Sequence, residues 1–186
     1  MVTKSKDKKV LWSEIKRELT QYKPAQLLEM VSALYSLSTE NKRFIEAKVV
    51  NDDNILEKYR EIISRSISIE APWLKSHQLS LKTAKKAISD YKKATVNIED
   101  TMDLMIYYVE RGTQFTQAFG DIDESFYNSM ESMFESVLKL MSSNSYPAGF
   151  LSRLEDIVKE SRDMGWGYYD NLNYLLEKWQ EQKLIL

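Results

Sequence analysis

The stretch Gly120-Asp121-Ile122-Asp123-Glu124-Ser125 places three carboxylates within four positions, a density that could bind a cation, share a proton between acids, or start a helix. A calcium loop needs oxygen ligands at loop positions 1, 3 and 5, a glycine at 6 and a glutamate at 12. Counted from Asp121, the last three of these fall on Ser125, Phe126 and Ser132, and the pattern fails at each. Capping suits the stretch better. Asp121 and Glu124 have the spacing of a capping box, and Asp123 could equally be the cap. Carboxylates in a first turn also favour the helix dipole by roughly 0.3–1 kcal/mol each at an exposed site.

Other chemistry is thinly represented. His77 is the only histidine and lies beside Lys75 and Ser76 with no G-x-S-x-G segment to supply a nucleophile. There is no H-E-x-x-H, no E-x-x-H pair, no glycine-rich phosphate loop and no cysteine, so thiolate metal sites and cysteine nucleophiles are excluded. A carboxylate-only site would draw on Glu110, Asp121, Asp123 or Glu131, at spacings that are also ordinary for solvated helix faces. Between Lys75 and Lys93 six lysines face one acid, Asp90; Lys82, Lys85, Lys86, Lys92 and Lys93 are candidates for binding an anion such as a phosphate backbone. That segment has no arginine to read base edges. The last unusual stretch, GWGYYDNL at residues 165–172, could present Trp166, Tyr168, Tyr169 and Asp170 to a partner or fold back over the core. With Glu110, Asp121, Asp123 and Glu124, these four residues make up the candidate interaction surface.

The elements that would position these residues are helical. Five glycines and three prolines in 186 residues, with Leu, Glu, Lys, Met and Ala abundant, is an all-helical composition. Val10, Leu11, Ile15 and Leu19 space a first helix. Pro24 suits the first turn of a second, whose stripe is Leu27, Leu28, Val31, Leu34 and Tyr35. Ser38 or Thr39 can cap a third helix with Phe44, Ile45 and Val49, and the run Asn51 to Asn54 caps a fourth with Ile55, Leu56, Tyr59, Ile62, Ile63 and Ile67. Short connectors read as stacked helical hairpins. Pro72 makes residues 69–80 the one candidate internal boundary. Beyond it come Leu81, Ala84, Ile88 and Tyr91, then Ile98, Met102, Met105 and Val109. Gly112 either admits a close neighbouring helix or ends this one. The remaining stripes are Tyr127, Met130, Phe134, Val137 and Met141; Leu151, Leu154 and Val158; and Leu172, Leu175, Leu176 and Trp179.

Charge is distributed unevenly. Residues 1–93 hold 19 Lys and Arg against 12 Asp and Glu, a net +7, whereas residues 94–186 hold 7 against 16, a net −9. The two halves either share these charges or attract partners of opposite sign. No apolar window is long enough for a signal peptide or a transmembrane helix, and the absence of cysteine suits a reducing, cytoplasmic location.

Three stretches, LSLKTAKKAISDYKK (79–93), YYVERGTQFTQAFGDIDESFYNSMESMFE (107–135) and GWGYYDNL, together with LLEMVSALYSLSTENKRF, resemble one of the bacterial families known only as a domain of unknown function. The resemblance covers most of the chain. It implies a small helical protein and no activity that can be assigned to particular residues.

These readings lead to an all-α fold of about nine antiparallel helices in an irregular bundle or short α–α superhelix, as a single domain over residues 1–186. The function they favour is a non-enzymatic protein-interaction or scaffold domain, without cofactor or metal and compatible with self-association. Nucleic-acid binding through helix 82–93 comes second, and a carboxylate-based, metal-dependent hydrolase third.

Overall fold

In the computed structural model, residues 10–50, 54–70 and 79–184 are described. They form nine α-helices and no strand: α1 (Trp12–Leu19), α2 (Pro24–Leu37), α3 (Thr39–Val49), α4 (Ile55–Ser66), α5 (Leu81–Thr95), α6 (Ile98–Phe119), α7 (Glu124–Ser143), α8 (Ala148–Glu160) and α9 (Tyr168–Leu184). The helix starts follow local chemistry. Pro24 opens α2, and the Lys23 N–H donates to Gln26 Oε1 at 2.8 Å. Ser80 caps α5 through the Thr83 N–H, and Asn97 caps α6 through the Asp100 N–H at 3.1 Å. His77 and Lys75 lie outside the described residues.

The chain divides into two compact units, residues 1–46 and 47–186, with the division inside α3. In the second unit α6 is the hub, packing against α4, α5, α7 and α8, while α9 packs against α7 and α8. Its hydrophobic core gathers Ile63, Ile67, Ala84, Met102, Ile106, Val109, Met130, Phe134, Met141, Leu154 and Leu172, among others. Twelve of the 22 residues of α6 are buried, which explains why its apolar pattern reads almost continuously from Met102 to Val109. Gly112 does not end this helix. A Cβ there would overlap Met130 Sδ, so the glycine is what lets α7 come close; Gly120, at φ 83°, is the actual terminator.

The first unit differs. Neither α1 nor α2 has a buried residue, nor does the part of α3 up to Glu46. The expected stack of hairpins is absent here, because α1, α2 and α3 make only slight contact with one another. The leucines and Val31 of the α2 stripe stay exposed, and only Tyr35 is partly covered, its hydroxyl donating to Glu46 of α3 at 2.9 Å.

Candidate functional site

The strongest concentration of polar chemistry lies along one face of α6, where Asp103, Tyr107 and Glu110 follow one another at helical spacing. Asp103 has only 8% of its side chain exposed. It accepts a bidentate pair from Arg60 of α4, Nε at 2.9 Å and Nη2 at 2.6–2.7 Å, and a third bond from Arg153 Nη1 of α8 at 2.6 Å. Arg153 also grips Glu110 with Nε at 2.6 Å and Nη2 at 2.7 Å. The Arg60 guanidinium lies 5.4 Å from the centre of the Tyr107 ring, and that of Arg153 5.8 Å from the Phe150 ring. Burial pulls the Arg153 guanidinium down, but hydrogen bonds and charge from Glu110 and Asp103 outweigh it and hold the group above its ordinary value. Two cations thus saturate two carboxylates, and the ladder joins α4, α6 and α8. Committed in this way, Glu110 is a structural partner of Arg153.

A second node brings together two stretches that the sequence presents separately. Asp121 Oδ1 accepts from the Tyr127 hydroxyl at 2.5 Å and from the Gly165 N–H at 3.0 Å. A Cβ on Gly165 would sit 2.5 Å from Asp121 Oδ2, so glycine is what lets the 161–167 turn reach the α6–α7 loop. Asp123, two residues on, is the N-cap of α7; its Oδ1 accepts from the Phe126 N–H at 2.9 Å and the Ser125 hydroxyl at 2.6 Å. Glu124 is the exposed first residue of the helix. The capping role therefore belongs to Asp123, while Asp121 ties two loops together.

In the aromatic turn, Trp166 is 57% exposed and adopts φ 59°. Tyr168 is buried instead, its ring 5.0 Å from that of Tyr127 and its hydroxyl 3.1 Å from Thr113 Oγ1. Tyr169 is half-buried and Asp170 exposed. Glu131 joins the same region by accepting from Asn171 Nδ2 at 3.1 Å, and burial raises its carboxyl despite that bond. Glu110, Asp121, Asp123 and Glu124 do not converge on one cavity, and among the described residues no three acidic or histidine side chains gather as metal ligands would.

The five lysines of α5 are all exposed. Lys86 pairs with Asp90 at 2.8 Å and Lys85 donates to Ser129 Oγ at 2.9 Å; Lys82, Lys92 and Lys93 project to solvent. Opposite them, Ala84, Ala87, Ile88, Tyr91 and Ala94 face the core.

The Asp121–Tyr127 pair gives the protein a pH dependence at both limits. The Tyr127 hydroxyl and the Gly165 N–H hold the Asp121 carboxyl below its ordinary value of 3.8. Its contribution is therefore present above pH 3.8 and is lost as pH falls through the lowered value. Tyr127 is shifted the other way, from 10.0 to about 12, by burial and then by Asp121. Its contribution is complete below pH 10 and is lost as pH rises toward 12. Thermal melting followed across pH is expected to show a flatter acid limb for Asp121→Asn and a flatter alkaline limb for Tyr127→Phe. Limbs that run parallel to the wild type would show that the clamp contributes nothing.

Sequence reading missed Arg60, Asp103 and Arg153, because each looks like an ordinary surface charge on its own helix. Only the placement of Asp103 amid the apolar run Met102 to Ile106 marked it as unusual. The described helices include none long and apolar enough to cross a membrane. Residues 11–180 match the profile of a family of unknown function, DUF6155, and the chain belongs to that family, in line with the resemblance seen in its sequence. Neither a curated protein nor a solved structure matches the chain.

Proposed function

We propose that this chain is a helical protein-interaction module that docks an apolar, uncharged helical face onto α1 and α2. The observation behind this reading is α2, fourteen residues with the single charge Glu29 and none of them buried. Leu28 and Leu37 are 69% and 75% exposed. Helices of this length are marginal in water without packing, and Leu27, Leu28, Val31 and Leu34, 37–69% exposed along one side of α2, are the kind of apolar exposure that marks an interaction surface in soluble proteins. The charged residues of the second unit support the same division of labour: Arg60, Asp103, Glu110, Arg153, Asp121 and Asp123 are occupied in holding helices together.

The test is titration of the full chain with a labelled, uncharged, leucine-rich amphipathic helical peptide. Saturable binding is expected, weakened at least about tenfold in Leu28→Asp/Leu34→Asp, because each leucine stands to bury apolar surface worth about 1 kcal/mol or more. Equal binding by the two proteins, or none by either, would discard the reading. A second reading, nucleic-acid binding, rests on the exposed lysine face of α5. It calls for a mobility shift that fades steeply with salt, and no shift at low ionic strength would exclude it.

A further inference from the structure

We infer that Arg111, at the corner where α4 ends and α5 begins, is the buried cation of a binding site for a phosphate group; this stands apart from the docking reading of α2. Two independent observations point there.

The first is a buried charge without a counter-ion. Arg111 is 8% exposed and is the only buried arginine among the described residues. Its hydrogen bonds run from Nη2 to Ile67 O at 3.2 Å and from Nη1 to Gln114 Oε1 at 3.4 Å, both long and both to neutral oxygens. Nε is shielded from solvent and donates to no acceptor. Arg60 and Arg153 are less buried, yet each meets carboxylate oxygens at 2.6–2.9 Å. A guanidinium taken out of water is costly unless an anion meets it. The end of α4, whose C-cap carbonyl Arg111 touches, supplies only a fraction of a charge. The acids nearest in the chain do not supply the rest, because Glu110 is held by Arg153 and Glu70 is exposed.

The second is the start of α5. Ser66 O accepts from the Ser80 N–H at 2.9 Å, and the next carbonyl, Ile67 O, is the one Arg111 holds. The guanidinium and the α5 start thus hang on neighbouring residues, about 3.8 Å apart at Cα. No acid occupies the first turn of α5. Ser80 Oγ accepts from the Thr83 N–H, while the N–H groups of Leu81 and Lys82 have no acceptor among the described residues. Free N–H groups at the positive end of a helix dipole are where anions bind, and the exposed Lys82 adds a charge on the same turn.

These donors fit a phosphate group. A guanidinium edge offers paired N–H bonds to an oxyanion, and the helix end offers two more. A phosphate has three oxygens to divide between them, one more than a carboxylate.

The test is thermal unfolding of the full chain at constant ionic strength, with sodium phosphate replacing sodium chloride. The Tm is expected to rise saturably, by about 5 °C or more at a hundred times the Kd. The same rise is expected in Lys92→Ala/Lys93→Ala, about 15 Å further along α5, and none in Arg111→Met. Without phosphate, Arg111→Met is expected to melt no lower than the wild type, because it removes a charge that nothing in the chain balances. Lys82→Glu is expected to need at least about tenfold more phosphate for the same shift. No saturable rise in the wild type, or an equal rise in Arg111→Met, overturns the site. If Arg111→Met does not fold, an equal response of Lys82→Glu and the wild type overturns it. A Glu70→Gln variant that loses stability in phosphate-free buffer would make Glu70 the counter-ion and also overturn it. Adenosine monophosphate acting at lower concentration than inorganic phosphate assigns the group to a phosphomonoester, and the reverse order to the free ion; either supports the site.

Discussion

Asp103→Asn is expected to lower the free energy of unfolding by about 3 kcal/mol, the scale for removing one partner from a buried ion pair. The asparagine fits the same space, so the loss is electrostatic. Without the carboxylate, Arg60 and Arg153 face each other with only Glu110 and the exposed Glu57, 4.0 Å from Arg60, to balance two guanidinium groups. The one amide oxygen that remains cannot accept from both arginines as the carboxylate does. The guanidinium side chains of Arg60 and Arg153 are 30% and 27% exposed and can turn partly into water, which keeps the loss at the lower end of the range for a sealed pair. Replacing the whole ladder with apolar residues of matched volume is expected to cost far less, because no orphaned charge remains. Chemical denaturation of the single variant and the fully apolar variant distinguishes these outcomes. A loss below about 1 kcal/mol for Asp103→Asn would show that the ladder behaves like an ordinary surface network.

Gly112→Ala is expected to destabilise the protein by about 2 kcal/mol even though alanine is the better helix former by about 1 kcal/mol. The added Cβ would overlap Met130 Sδ and lie 2.7 Å from Cε. Met130 is fully buried between helices, so it cannot swing into solvent. Shortening that side chain makes room: Met130→Ala alone is expected to cost about 3 kcal/mol as a cavity, and the double variant less than the two losses combined by at least about 1 kcal/mol. Simple additivity in a double-mutant cycle would refute the close approach of α6 and α7 at this point.

These two positions differ in how legible they were. Gly112 stood out because it follows the stripe of Ile98, Met102, Met105 and Val109 in step, and a glycine there either ends the helix or admits a close neighbour. The nine-helix, all-α architecture was similarly legible, as was the assignment of the acidic stretch at residues 121–124 to a helix start. The ladder was not. Arg153 lies 50 residues from Asp103 and Arg60 lies 43, and no local period carries an ion pair across such distances. The tie between Asp121 and Gly165 is a similar case: both stretches drew notice, and nothing in either announced the other. Glu110 and Tyr168, nominated as surface, turned out to be committed to Arg153 and to the core respectively, because residue type alone does not say which way a side chain faces once helices pack.

The limits are clearest in α2. Its stripe of Leu27, Val31 and Leu34 has the form of a core-facing helix, and so does the stripe of Met130, Phe134 and Val137 in α7. By itself the sequence determined that both segments are amphipathic helices, since the 3.6-residue period, Pro24 at one helix start and Asp123 at the other are local properties. Tertiary structure alone decided that the α7 stripe is sealed against α6 and α9 while Leu27, Leu28, Val31 and Leu34 of α2 stay exposed. Burial is a property of what lies opposite, and periodicity records only that something apolar must.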